Sequence, residues 1–451
     1  MRSIVTVLQL LTVCVLVVTV GADDDTRRTN RKLYQGEFGG TLAEELMETP
    51  IDPREPRSFP TTEWLTLRPN SPGEVGLQAP DGSWTHINNW EVYMMGWWYE
   101  TRMVNASCPI LPSGFSATTD WAFLPLCLFG DVTKPPKTIF VHTHMLPHFI
   151  ESTLPVLPKS YRFILITAGV DRTIPSSTGD LRYMSRPLRK FGSEDSDGWT
   201  KLMKDSRILH MFAENRDSNH PKVSTMPTGF TLDMLDSTGQ HYNSPDYEDR
   251  TILNLPIFDR KLSVLVADRV RDRVGQWADR AHVEEMCIEH SWCEDDGVGG
   301  LGMAHDEFLK RLHTHPFVTC VHGGGVDPSP KAFEAIHEGT IPILKKGLVY
   351  DAYSHLPVAW VDDWDHLFHE DNRTALLSKW RDELGPHYVS GSALRKKTLD
   401  MLKTPYWREV IEKKYVSLME KEKTKVAARD RSLGATKPRK RRVRRNRRGR
   451  R

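Results

Sequence analysis

The chain has 451 residues, of which 39% are hydrophobic and 27% charged. These proportions exclude a disordered, collagen-like or small disulfide-scaffold protein and suit a globular chain of two to three domains. The net charge of +2 hides an asymmetry. Residues 437–451 (KPRKRRVRRNRRGRR) carry 11 Lys/Arg and no acid, and removing those charges leaves −9 for the rest.

At the N-terminus one basic residue, Arg2, precedes the uncharged run Ile4–Ala22, and Val20-Gly21-Ala22 fits the small-residue pattern of signal cleavage. A run of 19 residues is also long enough to cross the bilayer. Segment 1–22 is therefore read as a signal peptide or a signal anchor, and both readings stand. Either one makes the body lumenal or extracellular, with one membrane anchor at most. Residues 23–60 are charged and Pro-containing, as in a stem. The stretch that follows is Trp-rich, and Trp90, Met94 and Trp97 have the spacing of one helical face, packed in a core.

From there the pattern becomes strand, loop and helix. Apolar runs occur at 137–143, 161–169, 207–215, 261–267, 317–322, 340–344 and 357–361. Short continuous runs separated by helical stretches are the mark of parallel strands covered on both faces. They fall into two groups around the polar stretch Asp236–Arg250, which implies two facing α/β domains, 61–255 and 256–405. A charged helix over 406–430 follows, and then a basic tail, 431–451, with too few apolar residues to fold alone.

Cys108/Cys127 and Cys287/Cys293 are close enough in sequence to bridge, and Cys320, in an apolar run, reads as a buried free thiol. Asn105-Ala-Ser107 and Asn372-Arg-Thr374 are glycosylation acceptors if the chain is exported.

The segment carrying the most chemistry is FVTCVHGGGVDPSPKAFEAIHEGTIPIL, 317–344. A strand that ends in Gly323, Gly324 and Gly325 lets a ligand approach the backbone, since no Cβ intervenes. Ser329 has the position of an N-cap, Pro330 that of the first helical residue, and Gly339 that of the stop. The start of such a helix is a ready site for a phosphate or diphosphate. Lys331 adds charge there, and Glu334, one turn in, suits a ribose diol.

The string SPKAFEAIHEGTIPIL resembles the signature of exostosin-family glycosyltransferases, whose members carry Ser-Pro-Arg/Lys, Glu-Ala-Ile and Gly-x-Ile/Val-Pro-Ile/Val at this spacing. The downstream stretch 350–364, with Leu-Pro and a Trp-containing strand, looks like the family's continuation. The resemblance is close over 315–370 and loose over 137–315. It implies the GT-B architecture of two facing Rossmann-like domains, the C-terminal one holding a nucleotide sugar, with Ser329, Lys331 and Glu334 on the donor nucleotide. It further implies a Golgi-lumenal enzyme that needs no metal or other cofactor and moves a sugar from a nucleotide diphosphate, a UDP-sugar foremost, to a glycan hydroxyl. The His-Gly-Gly-Gly-Val-Asp stretch departs from the family's commoner Pro-Ser-Gly version.

Arg269, Arg271 and Arg273 follow the strand ending at Ala267, where guanidiniums can neutralise a leaving diphosphate or pair with Asp268 and Asp272; both readings stand. On the acceptor side, inversion needs a base, and His142, His144 and Asp171 fall at strand ends where open α/β sheets place ligands; His220 is a weaker candidate. Of the Asp-x-Asp triplets only Asp363-Trp-Asp365 has a place near the donor. Zinc at His142, His144 and His148 lacks an acidic ligand, and no Gly-x-Ser-x-Gly elbow completes a lipase reading of His322-Gly-Gly-Gly. The basic tail is open to three readings, a disordered solubilising tail, a proprotein-convertase site or a polyanion tether, with an acidic polysaccharide foremost, and export argues against nucleic acid. A catalytically inactive glycan-binding or scaffold protein of the same fold is the alternative to an enzyme.

Overall fold

The computed structural model describes residues 75–78, 84–87, 97–105, 108–124, 127–130, 134–178, 190–230, 255–270, 275–295, 303–328, 330–369 and 371–434. The segments read as signal, 1–22, and stem, 23–60, residues 435–451 of the expected tail, and residues 271–274 and 329 lie outside them; 431–434, placed in the tail by the sequence reading, end the last helix. The described residues all belong to the part of the chain beginning at Pro60.

Two antiparallel hairpins come first, β1 (Val75–Gln78) with β2 (Trp84–Ile87) and β3 (Trp97–Asn105) with β4 (Cys108–Gly114). The helical face expected through Trp97 is corrected here. Trp97 and Trp98 open a strand, because the aromatic and β-branched run WWYETRMV fits a paired, pleated surface. Trp90 and Met94 lie outside the described residues.

The first large sheet holds β5 (Trp121–Leu124), β6 (Cys127–Gly130), β7 (Thr138–His142), β8 (Phe163–Ala168), β9 (Ile208–Ala213) and β10 (Val223–Thr225). Their order is β10-β9-β8-β7-β5-β6, parallel except for the edge strand β6. Alternation along β7 to β9 divides two cores: Ile139, Val141, Phe163, Leu165 and Met211 pack on one face, Phe140, Ile164, Ile166 and Phe212 on the other. Helix α1 (Asp197–Lys204) buries Trp199 and Leu202 in the first of these cores.

The second sheet holds β11 (Val264–Val266), β12 (Cys293–Asp295), β13 (Phe317–Thr319), β14 (Ile341–Lys345) and β15 (Ala359–Val361), all parallel, in the order β12-β11-β13-β14-β15. Between β11 and β13 the chain reverses its direction of travel across the sheet, which is where open α/β sheets bind ligands. Its helices are α2 (Ala278–Ile288), α3 (His305–Leu312), α4 (Pro330–Glu338), α5 (Tyr350–Tyr353), α6 (Trp364–His369), α7 (Arg373–Leu384) and α8 (Ala393–Met401). Helix α4 begins at Pro330, whose missing N–H costs nothing there, and stops before Gly339, which adopts φ +86° as few side chains can. The Cys287–Cys293 disulfide ties α2 to β12, and Cys320 is free and buried. Cys108 and Cys127 carry side chains outside the description.

The long helix α9 (Thr404–Gly434) returns across β8 and β9 of the first sheet. Phe230, after the first sheet, meets Phe333 of α4 edge-on at 5.6 Å, so one apolar cluster runs through both α/β regions. Among the described residues, no helix is long and apolar enough to cross a membrane.

Candidate functional site

Parallel strands bring their carboxyl ends to one edge. In the first sheet that edge carries His142, then Gly169 to Asp171, then Glu214 to Arg216; in the second it carries Ala267 to Arg269, Cys320 to Gly325 and Lys346 to Leu348. The two edges face one another and touch. Asn215 Oδ1 accepts hydrogen bonds from the backbone N–H groups of Val326 and Asp327, at 3.0 and 3.1 Å. Arg216 donates to the Leu348 carbonyl at 3.1 Å and pairs with Asp351 at 3.0 Å. Beside these contacts is a cavity of about 680 Å³ lined by Arg216, Asn219, Lys346 to Leu348, Tyr350 and Asp351.

The glycine loop itself is buried. A Cβ added at Gly323 would lie 2.7 Å from the Arg280 guanidinium, at Gly324 2.5 Å from the Asp171 carboxylate, and at Gly325 2.1 Å from Asn215 Oδ1. The absence of side chains was expected to make room for a ligand; the room is filled by three side chains of the chain itself, two of them from the opposite sheet. That close approach explains the three consecutive glycines.

The crevice between β11 and β13 is organised by Asp268, whose side chain is fully buried. Lys331 Nζ makes a very short bond to its carboxylate and donates to the Ala267 carbonyl at 3.0 Å. Arg280 stands 3.5 Å from the same carboxylate and holds the carbonyls of Arg269, Val321 and His322. The charge of Lys331 is thus shared with Asp268. Glu334 is buried, and its Oε1 lies 2.5 Å from Nε2 of His305, a residue with a partly exposed ring. Arg269 is exposed beside this crevice. Ser329 and Arg273 lie outside the described residues. Asp363 and Asp365, the Asp-x-Asp after β15, face Lys345 and His282.

On the first sheet's edge the candidates for a base differ from one another. His142 is buried at the end of β7; burial drives its pKa down to about 3, and His144 beside it adds to the fall. For His144, burial and the nearby Arg172 charge lower the pKa to about 4. Both imidazoles are neutral and weakly basic. Asp171 is exposed and sits against Gly324. His220 is edge-on to Trp199, and its Nδ1 accepts from the Lys222 N–H.

The sequence reading passed over Glu214. Its side chain is buried, its Oε2 accepts the Gly169 N–H at 2.7 Å, and burial raises its pKa to about 8, with the neighbouring Asp327 and Asp171 charges pushing the same way. Asp327, from the glycine loop, is itself buried and accepts from the Tyr353 hydroxyl at 3.1 Å. A signal was present, because the run 207–215 itself ends in Glu-Asn, which places a carboxyl at the same edge as the histidines.

No protein-family model matches this chain, and neither does any curated protein. Among solved structures the chain is similar to sucrose-phosphate synthase from Thermosynechococcus elongatus, at 16% identity and TM-score 0.29 over 65% of this chain and 74% of that one. It is also similar to the spinosyn rhamnosyltransferase SpnG, at 13% identity and TM-score 0.30 over 62% and 73% of the two chains. A third similar structure is TarM, at 10% identity and TM-score 0.30 over 62% and 54%.

Proposed function

We propose that this chain is a glycosyltransferase of exostosin type, moving a sugar from a nucleoside diphosphate, a UDP-sugar foremost, to a glycan hydroxyl in the Golgi lumen. The observation that carries the reading is the meeting of a signature-bearing strand, glycine loop and helix with a buried carboxyl of the opposite sheet, Glu214, whose pKa of about 8 lies near working pH. A base is most useful when its pKa is close to the operating pH, and Glu214 meets that condition better than His142 or His144. In this reading Glu214 takes the acceptor proton, Glu334 grips the ribose, and Lys331 with Arg269 offsets diphosphate charge. The reaction requires no metal, in keeping with the resemblance, so chelation leaves the rate unchanged.

The test is nucleotide release and transfer from a panel of UDP- and GDP-sugars by the full chain. Transfer that falls by about 10²–10⁴ in Glu214→Gln supports the reading, since that is the usual contribution of a positioned acid or base. Failure of every donor to bind overturns it. Filling of the glycine loop by Asn215 and the pairing of Lys331 with Asp268 favour a second reading, a catalytically inactive glycan-binding or scaffold protein. Donor binding without any turnover would select that one.

A further inference from the structure

The glycine loop and the opposite sheet are joined by a contact that has the geometry of an anion site already filled. Val326 N and Asp327 N, two successive backbone donors just before α4, converge on one oxygen, Asn215 Oδ1, at 3.0 and 3.1 Å. Paired amides converging on one point are the arrangement that accommodates an anionic oxygen. The acceptor here is neutral and belongs to the other sheet. Its orientation is fixed from behind, because Asn215 Nδ2 donates to the Val170 carbonyl at 2.8 Å. The missing Cβ of Gly325 lets Oδ1 come this close, since a side chain there would begin 2.1 Å from it.

The next residue braces the same connection. Arg216 is anchored to its own sheet through Thr225 Oγ1 at 2.9 Å and the Val223 carbonyl at 3.1 Å, and it reaches Leu348 and Asp351 on the other. Asn215 and Arg216 are consecutive, so one short stretch after β9 spans both edges.

We propose that Asn215 is an autoinhibitory latch: its side-chain oxygen holds the two loop N–H groups that a diphosphate oxygen takes when a nucleotide binds, so binding must first displace it. This rests on the donor-binding reading above. A ligand that binds only the unlatched state has its apparent affinity reduced by the fraction of molecules unlatched. Removing the competitor therefore tightens binding, whereas loss of an ordinary structural contact weakens it or leaves it alone.

The experiment uses the full chain, wild type and Asn215→Ala, with two readouts: amide hydrogen exchange at Val326 and Asp327, and calorimetric titration with UDP. Asn215→Ser replaces the alanine variant if thermal unfolding shows that Ala destabilises the fold. The latch predicts faster exchange at the two amides and a UDP affinity that rises about tenfold. Unchanged exchange overturns the latch whatever UDP does. Faster exchange with a measurable but unchanged or weaker UDP affinity overturns the competition while leaving the donor-binding reading intact. If neither protein binds UDP, or GDP in a control titration, the reading itself fails and the competition falls with it, while exchange still decides the contact.

Discussion

The two sheet edges that meet at the glycine loop treat charge in opposite ways. On the first, His142, His144 and Glu214 are desolvated without a full counter-charge, and all three are driven toward their neutral forms. On the second, charged side chains are paired: Asp268 with Lys331 and Arg280, and Glu334 with His305. At the opposite end of that sheet pairing prevails too: burial alone would raise the Glu338 carboxyl, but hydrogen bonds from His313 and His337 outweigh it and hold the pKa at about 2. Desolvation brings Glu214 to titrate near neutrality and takes the two histidines away from it, whereas pairing makes a fixed electrostatic frame. Under the proposed function, the contrast suits Glu214 to proton transfer and the second edge to holding an anionic ligand.

The contrast breaks most sharply at its centre. Asp268→Ala leaves Lys331 and Arg280 in a buried crevice without their shared carboxylate, and loss of one partner of a buried pair costs about 3–5 kcal/mol. Denaturant unfolding checks it, and a loss under 1 kcal/mol would mean that water reaches the crevice. Glu214 gives the next effect, with a sign set by the desolvation of its carboxylate. Its folded pKa of about 8 lies above the usual value, so its contribution is complete at acid pH and is lost as pH rises from about 4.5 to 8. Glu214→Gln should flatten that fall and raise stability at pH 8. The buried histidines act the other way: with folded pKa values of about 3 and 4, His142 and His144 stabilise above their ordinary pKa and lose that contribution as pH falls. Stability of His142→Phe measured between pH 7 and 4 should show a shallower decline than wild type.

A smaller effect is expected at Cys287–Cys293. The bond closes a short loop, so on chain entropy its removal by Cys→Ser at both positions costs about 2 kcal/mol. Least of all, Lys413→Ala at the solvent-exposed Lys413–Glu409 pair of α9 should leave the unfolding midpoint unresolved from wild type, because exposed pairs contribute little. A clear loss there would show that α9 is held to the first sheet by charge as well as by packing.

Much of this frame was legible in the chain. Runs such as 161–169 and 317–322 became β8 and β13 because continuous apolar residues need cover on both faces. Pro330 and Gly339 bounded α4 for conformational reasons that are local. Strands β10 and β12 escaped notice: Val223–Thr225 and Cys293–Asp295 are three residues long and gain their pairing from neighbours already in place. The site was legible only by halves. Three glycines announced a close approach, but what approaches is Arg280, Asp171 and Asn215, and nothing local in 323–325 specifies partners 43 or more residues away. Glu214 was obscured for a related reason, since a carboxyl's pKa depends on burial and on neighbours that only the fold supplies.

The most direct test of the central claim, that a nucleoside diphosphate settles against the glycine loop where the two edges meet, is photoaffinity labelling of the full chain with 5-azido-UDP, followed by peptide mapping. The account predicts adducts within the strand, loop, helix and strand of residues 317–345, lost on competition with unlabelled UDP. Labelling confined to other segments, or undiminished by competitor, would contradict it.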